Sequence, residues 1–274
     1  MKLDIILQGP IYPETTEIVK NYLSLPFVSK IIISTWKNQP NIQIENQNII
    51  EIRSSDVTNP GPGNINRQII SSQRGFALAE EEIAVKMRTD QIISVNSMHK
   101  MNAYFQKHCA KDDREFDYDS CSFLPSPIFV LGMYRDFLFH PRDHVFWGYR
   151  EDLKNLFSLP LYELPENKNP KGSDLYWSNM VRPETWIGVH YYYKILGYRN
   201  LNNRETIINF LKDPVNYLTD QSSKHNEAMA FYSNHRESAF KPFPKIEMRW
   251  PKHGLEEYHY HVGAKLSEYW AENE

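Results

Sequence analysis

The chain has few of the features that mark several large protein classes. Its 274 residues include only two cysteines, Cys109 and Cys121, without a Cys-x-x-Cys spacing. A disulfide framework and a cysteine-based zinc site are therefore excluded, and two reduced thiols are expected. No apolar run approaches the roughly 18 residues of a membrane-spanning helix, and the run near the start is too short for a signal peptide. We expect a cytoplasmic protein.

Two further absences narrow the possible ligands. The net charge is only -3, from 31 basic and 34 acidic residues, so no overall positive field attracts nucleic acid. The chain also lacks Gly-x-x-x-x-Gly-Lys-Ser/Thr, Gly-x-Gly-x-x-Gly and His-Glu-x-x-His. Kinase and dehydrogenase interpretations lose their main support.

The chain does contain alternating strand and helix patterns. Buried strands are predicted at Leu3–Leu7, Val28–Ser34, Ile49–Arg53, Ile83–Arg88 and Ser126–Leu131. Helices are predicted at Thr15–Leu23, Asn64–Ser72, Ile92–His108, Asp152–Phe157 and Trp186–Leu196, with Thr15 or Thr16 as the first N-cap. This rhythm predicts an α/β fold with a mostly parallel, twisted sheet flanked by helices.

The chain length favours one large domain over two small ones. We predict a domain over residues 1–240, with a nucleotide-binding half at 1–120 and an acceptor half at 121–240. Residues 241–274 are predicted to form a C-terminal extension that wraps the core. Five basic residues between 236 and 252 alternate with aromatic ones, and this mix suits either an anionic lipid surface or a solvated tail.

The most informative segment is Lys86-Met87-Arg88-Thr89-Asp90, which ends the fourth strand with a carboxylate. Ligands of open α/β sheets bind beyond the carboxyl ends of the strands, so Asp90 is predicted to meet a phosphate or its metal ion. The simpler alternative is an N-cap for the helix predicted from Ile92. Arg88 lies two residues earlier on the same side of the strand, where it either pairs with Asp90 or donates to phosphate.

Other candidate residues follow the remaining strands and begin a helix. Asn64, Asn66 and Arg67 follow the loop 59–63, where two prolines and two glycines prevent regular structure, and a helix start with free N–H groups suits a diphosphate. A helix cap and a solvated arginine are the alternatives. The candidates at the ends of the first three strands are Gln8, Gly9, Pro10, Thr35, Trp36 and Asp56. Each also has an ordinary structural explanation as a turn, core or loop residue.

Two carboxylates are candidates for catalysis. Glu184 follows Pro183 at a predicted helix start, where it acts either as a general base or only as a partner of the helix dipole. Asp143 lies in the cluster Arg142-Asp143-His144, within a stretch that we predict to be irregular from Arg135 to Trp147. This cluster suits an acceptor-sugar site, and a packed loop with a surface ion pair is the alternative.

Four of these segments together carry a family resemblance. They are Gln8-Gly9-Pro10, Ser34-Thr35-Trp36, Asn64-Ile65-Asn66-Arg67-Gln68 and Lys86-Met87-Arg88-Thr89-Asp90. In this order and spacing they resemble the WavE lipopolysaccharide-synthesis family of bacterial glycosyltransferases, mainly over residues 1–95. The resemblance implies a GT-A-like fold, a nucleotide-sugar donor, and work on lipopolysaccharide, capsule or a similar surface glycan. The acceptor is then an oligosaccharide or a lipid-linked glycan.

One departure from the GT-A pattern leaves metal dependence open. GT-A enzymes place Asp-x-Asp at this strand end to hold a divalent ion, whereas here the first acid is replaced by Arg88. A Mg²⁺ or Mn²⁺ ion on Asp90 would rely on donor phosphates, water and one of the C-terminal histidines His253, His259 and His261. Without a metal, Arg67 and Arg88 neutralise the leaving nucleotide.

The sequence therefore predicts a glycosyltransferase, with peripheral contact with the inner face of the plasma membrane left open. Gln8, Thr35 and Asp56 are expected at the nucleoside, and Asn66, Arg67, Arg88 and Asp90 at the phosphates and any metal ion. Glu184 is the preferred base, which favours inversion. The alternatives are a nucleotidyltransferase of similar topology and a non-catalytic glycan-binding subunit.

Overall fold

A computed structural model describes most of the chain up to residue 163 and parts of the remainder. The described residues are 1–109, 116–117, 122–123, 128–130, 141, 143–163, 183–198, 223, 226, 230, 240–243, 247–250 and 255–259. Arg142, His253 and His261 lie outside these residues, as does most of the basic stretch 236–252. Within the described part of the chain, no helix has both the length and the apolar character needed to cross a membrane.

Strands and helices alternate over the first half of the described chain. The strands are β1 (Leu3–Gln8), β2 (Val28–Trp36), β3 (Ile49–Ser54), β4 (Ile83–Arg88), β5 (Ile92–Ile93), β6 (Phe116–Asp117), β7 (Ser122–Phe123), β8 (Ile128–Val130), β9 (Val145–Tyr149), β10 (Phe240–Pro242), β11 (Glu247–Trp250) and β12 (Leu255–His259). The helices are α1 (Thr15–Leu23), α2 (Ile65–Leu78), α3 (Val95–His108), α4 (Arg150–Phe157) and α5 (Pro183–Tyr198).

The main sheet has seven strands in the order β10-β8-β9-β4-β1-β2-β3. All of them run in one direction except β9, which pairs antiparallel with both β4 and β8. The strand β5 pairs outside this sheet with β11, which also pairs with β12. The sheet confirms the predicted mostly parallel α/β fold.

Helices cover both faces of the sheet because successive strand residues point to opposite sides. In β1, Ile6 belongs to the same buried cluster as residues of α2, α4 and α5, while Ile5 and Leu7 belong to the cluster that includes residues of α1 and α3. A strand that is apolar on both faces is typical of a parallel sheet enclosed between helices. Helix α2 approaches β1 closely, since a Cβ atom added to Gly75 would lie 2.4 Å from Ile6 Cγ2.

Register brings the ends of the parallel strands to one level. Gln8, the last residue of β1, is aligned with Ser34 in β2 and with Arg88 at the end of β4. The antiparallel strand β9 starts beside them, because Val145 is paired with Met87. Residues that precede β9 therefore reach the same sheet edge as residues that follow β1 and β4.

Most predicted elements are confirmed, and three details are wrong. The residues 145–149 form the buried strand β9, although an irregular segment was predicted through Trp147. The helix predicted from Ile92 begins at Val95, after the short strand β5, and is capped by the Ser94 side chain, so Asp90 is not its N-cap. The N-cap residue of helix α1 is Glu14, whose side chain makes no capping hydrogen bond, so neither Thr15 nor Thr16 is the N-cap.

Candidate functional site

A polar cavity of about 420 Å³ lies at the carboxyl ends of the parallel strands. Its walls come from the segments that follow β1, β2, β3 and β4, from the start of α2, and from the residue that precedes β9 by two positions. The lining residues are Gln8, Gly9, Pro10, Tyr12, Trp36, Asn38, Gln39, Asp56, Gly63, Asn64, Arg67, Gln68, Arg88, Thr89, Asp90 and Asp143.

The floor of the cavity is formed where the β1 and β4 ends contact each other. The Thr89 backbone N–H donates to the Gln8 carbonyl at 3.2 Å, and the Gly9 N–H donates to the Ser34 carbonyl at 3.2 Å. Gly9 has φ of +133°, and a Cβ atom at this position would lie 2.7 Å from Thr89 Oγ1. Only glycine fits both this backbone conformation and this close approach.

Arg88 is held at the cavity wall by two aspartates. Its Nε and Nη2 atoms donate to Asp90 Oδ1 and Oδ2, each at 2.9 Å, and its Nη1 donates to Asp143 Oδ2 at 3.2 Å. Gln68 Nε2 donates to the same Asp143 oxygen at 2.8 Å. We call Arg88, Asp90 and Asp143 the buried clamp, since its charge-assisted, partly bidentate bonds fix the guanidinium group in one orientation.

Burial and charge shift the pKa values of this group in opposite ways. Burial disfavours the Asp143 carboxylate, but Arg88 and Lys86 hold the pKa of Asp143 well below its ordinary value. Burial also opposes the Arg88 cation, while Asp143 and Asp90 raise the pKa of Arg88. Both side chains therefore stay ionised near neutral pH, and Asp143 is a weak proton acceptor.

Lys86 adds a second cation behind the buried clamp. It is fully buried, lies over the Phe146 ring, and donates from Nζ to the Asp143 carbonyl at 2.8 Å. Burial lowers the pKa of Lys86 to about 8, although the charge of Asp143 opposes this shift. Lys86 points to the same side of β4 as Arg88, two residues away.

A second arginine–aspartate pair lines the cavity, with Arg67 at the start of α2 and Asp56 in the segment after β3. Arg67 donates from Nε to Asp56 Oδ1 at 2.8 Å and from Nη2 to Asp56 Oδ2. The hydrogen bond from Arg67 lowers the pKa of Asp56. Asn64, in the left-handed region with φ of +63°, accepts from Arg67 Nη1 at 2.8 Å. We call Arg67 and Asp56 the exposed pair.

Three predicted site residues, Thr35, Asn66 and Glu184, do not line the cavity. The Thr35 side chain is fully buried in β2. Asn66 is buried and ties two loops together: its Nδ2 donates to the carbonyls of Asn59 and Tyr162 at 3.0 and 2.9 Å, and its Oδ1 accepts from the Tyr162 N–H at 2.7 Å. These bonds give Asn66 a structural role beside the site.

Glu184 lies next to the cavity without being one of its lining residues. It occupies the first turn of α5, directly after Pro183. A Cβ atom on Gly63, which does line the cavity, would be 2.9 Å from Pro183 Cδ, so the start of α5 packs against the cavity wall. The Glu184 charge also contributes to raising the pKa of Arg88. The carboxylate is thus within electrostatic range of the buried clamp.

The described donor set does not fit a divalent ion at Asp90. Mg²⁺ and Mn²⁺ prefer several oxygen ligands, chiefly carboxylates, phosphates and water. Both Asp90 oxygens instead accept from Arg88, which stands where the first acid of an Asp-x-Asp would be. Among the residues that the structure describes, no three His, Cys, Asp or Glu side chains are grouped closely enough to hold a metal.

Sequence reasoning left several lining residues out of the predicted site. Tyr12, Asn38 and Gln39 line the cavity beyond β1 and β2, and the Ile11 N–H donates to Gln39 Oε1 at 3.0 Å. Their position two to four residues past strand ends was a usable signal. Gln68 and Thr89 belong to the motifs but were not predicted as site residues. The register of β1 and β4 brings Thr89 to the cavity, and Gln68 lines it from α2, where it donates to Asp143.

A family model described as WavE lipopolysaccharide synthesis matches residues 4–208. No curated protein matches the chain. Among solved structures, S. aureus TarS 1-349 in complex with UDP-GlcNAc aligns at 16% identity and a TM-score of 0.30, over 48% of this chain and 34% of that one. Another S. aureus TarS structure aligns at 12% identity and 0.42, over 87% and 44%.

A different enzyme gives a similar score. CMP:2-keto-3-deoxy-manno-octonic acid synthetase complexed with CTP aligns at 13% identity and a TM-score of 0.37, over 59% of this chain and 80% of that one. The chain spans about a third of the first TarS structure and less than half of the second. At these TM-scores the structural similarities do not assign an activity.

Proposed function

The chain belongs to the WavE lipopolysaccharide synthesis family, and on this premise we propose that it is a glycosyltransferase. It transfers a sugar from a nucleotide-sugar donor to a bacterial surface glycan such as lipopolysaccharide or capsule. The observation that supports this proposal is the cavity at the strand ends, where Arg67 and Arg88 face a space of about 420 Å³. Such a crevice is where open α/β sheets bind nucleotides.

Each side of the cavity is assigned to a part of the donor. Gln8, Trp36 and Asp56 lie on the β1, β2 and β3 side, where we place the nucleoside. Arg67 and Arg88 are placed at the phosphates, because guanidinium groups donate several directed hydrogen bonds to phosphate oxygens. Gly9 leaves the backbone open to close approach at the floor between them.

Glu184 is the proposed general base that accepts a proton from the attacking acceptor hydroxyl. Asp143 was the other candidate, but its low pKa and its bonds to Arg88 and Gln68 suit a positioning residue better. Glu184 begins α5 beside the cavity wall and is partly exposed to solvent. A single carboxylate base favours inversion at the anomeric carbon, and the acceptor then approaches from the α5 side.

The test is an assay of donor turnover. The full chain is incubated with a panel of nucleotide sugars, with and without truncated lipopolysaccharide as acceptor, and free nucleotide is measured. We expect acceptor-dependent release of nucleotide and a glycosylated acceptor. In a parallel incubation with a nucleoside triphosphate and a sugar phosphate, release of pyrophosphate would instead assign a nucleotidyltransferase. Binding of glycan without turnover in either incubation would assign a binding subunit.

A variant pair tests the base. Glu184→Gln is expected to lower the turnover number by about 10²–10⁴-fold, the usual contribution of general base catalysis, while donor affinity is retained. Glu45→Gln makes the same chemical change at an exposed loop residue that does not line the cavity, so its turnover should equal that of the wild type. Unchanged turnover in Glu184→Gln would remove Glu184 as the base.

A further inference from the structure

The three members of the buried clamp differ sharply in exposure. The Arg88 side chain is 29% exposed, whereas those of Asp90 and Asp143 are 4% and 7% exposed. All three residues line the cavity, and Arg88 is the most accessible of them. The side chain that a ligand can reach most easily on this side therefore carries positive charge.

The opposite arrangement would be needed to hold a metal ion. A carboxylate that binds a divalent cation must present its oxygens to the ligand space, as hard cations are coordinated through oxygen. Here both Asp90 oxygens and Asp143 Oδ2 accept hydrogen bonds from Arg88. A cation near Asp90 would also be repelled by the adjacent guanidinium group.

The positions of the charged groups around the cavity are more informative than its net charge. The cavity is lined by three aspartates and two arginines, and Lys86 behind them compensates the remaining negative charge when it is protonated. The carboxylates near Arg88 are largely covered, while Arg88 at the end of β4 and Arg67 in α2 both line the cavity. The start of α2, with Asn64 in the lining, adds the positive end of a helix dipole.

We propose that Arg88, oriented by Asp90 and Asp143, takes the place of a divalent cation, so that this cavity binds nucleoside diphosphates without a metal ion. Asp90 is then a positioning residue for Arg88 and not a metal ligand. Arg67, in the first turn of α2, supplies the second cation. The inference rests on the proposed function, because it concerns the diphosphate of the donor and of the nucleotide that is released.

Calorimetric titration of the wild-type chain tests this inference directly. UDP, CDP, GDP and ADP are each titrated in excess EDTA and again with excess MnCl₂ premixed with nucleotide. For the nucleotide that binds, we expect the two Kd values to agree within about fivefold. A larger gain with Mn²⁺ would overturn the inference and leave the proposed glycosyltransferase intact. No binding of any nucleotide in either buffer would overturn both.

A second measurement uses a variant at the exposed pair, where folding is not at risk. Arg67→Gln should raise the nucleotide Kd by about tenfold in both buffers, because a charge-assisted bond to phosphate is lost. Arg74→Gln makes the same change at an exposed residue further along α2, outside the cavity, and should leave the Kd unchanged. An Arg67→Gln affinity that falls only when Mn²⁺ is present would contradict metal-independent binding.

Discussion

Arg67 and Arg88 face the same cavity, and each pairs with an aspartate through two nitrogen atoms. The exposed pair leaves 34% of the Arg67 side chain and 39% of the Asp56 side chain in solvent. In the buried clamp, the carboxylates are almost fully covered. Identical chemistry is thus placed in two dielectric environments, where an ion pair has different energetic consequences.

This difference in burial gives Arg67 and Arg88 different roles. An exposed ion pair contributes little to stability and reorganises easily, so Arg67 can exchange Asp56 for a ligand at small cost. The buried clamp cannot open without leaving a charge unpaired in the protein interior. Arg88 is therefore a fixed group, and Arg67 is an adaptable one.

The largest expected effect comes from removing the cation of the buried clamp. Arg88→Gln leaves the Asp90 and Asp143 carboxylates buried without their guanidinium partner, and we expect a loss of about 3–5 kcal/mol in the free energy of unfolding. Urea unfolding followed by circular dichroism measures it, with Arg74→Gln as the exposed control. A loss as small as that of the control would mean that the clamp is open to solvent.

Lys86 tests how strongly the region behind the clamp is buried. Because its pKa is lowered, the folded chain releases this proton at lower pH than the unfolded chain, so the contribution of Lys86 to stability rises with pH. The rise occurs between about pH 8 and pH 10.5 and amounts to roughly 3 kcal/mol. Urea unfolding over this range should show wild type gaining stability relative to Lys86→Met. Parallel pH profiles for the two proteins would refute this.

A substitution at Gly9 tests the close approach of Gly9 to Thr89 at the floor of the cavity. Gly9→Ala places a methyl group against Thr89 Oγ1 and strains a backbone with φ of +133°. We expect a loss of about 1–3 kcal/mol in stability, and displacement of Thr89 beside Asp90. Gly148→Ala in β9 is the control, since its new Cβ atom would meet neighbours at 3.6 Å or more. Equal stability of the two variants would contradict the close approach.

The smallest effect on stability is expected at the exposed pair. Arg67→Gln should change the free energy of unfolding by less than about 1 kcal/mol, because both partners are already solvated. Thermal unfolding without ligand measures this change. If Arg67→Gln were as destabilising as Arg88→Gln, the exposed pair would not differ from the buried clamp in energy. Loss of nucleotide affinity with retained stability in Arg67→Gln would support the difference.

Much of this arrangement could be predicted from sequence, for a physical reason. Parallel strands bring their carboxyl ends to one edge, so residues after β1, β2, β3 and β4 were expected together, and Gln8, Trp36, Asp56 and Asp90 do line one cavity. Whether Arg88 pairs with Asp90 or points to a ligand was left open. That choice depends on Asp143, which precedes β9 and accepts a hydrogen bond from Arg88, and β9 was not predicted.

Other features depend on distant contacts that no local pattern contains. Asp143 reaches the cavity because an antiparallel strand begins, and does not end, at this edge of the sheet. Asn66 looked like a ligand-binding residue at a helix start, yet its partner Tyr162 is 96 residues away. A polar side chain that closes such a contact cannot be distinguished from a site residue by its neighbours in sequence.

The amide of Asn66 has a mechanical consequence. By joining the loop at Asn59 to the backbone of Tyr162, it anchors the first turn of α2 from two directions, while Gly75 seats the other end of that helix against β1. Because both ends of α2 are held by these contacts, we expect the backbone that carries Arg67 to stay in place. Any rearrangement during a reaction cycle should then come from side-chain rotation or from other parts of the cavity wall.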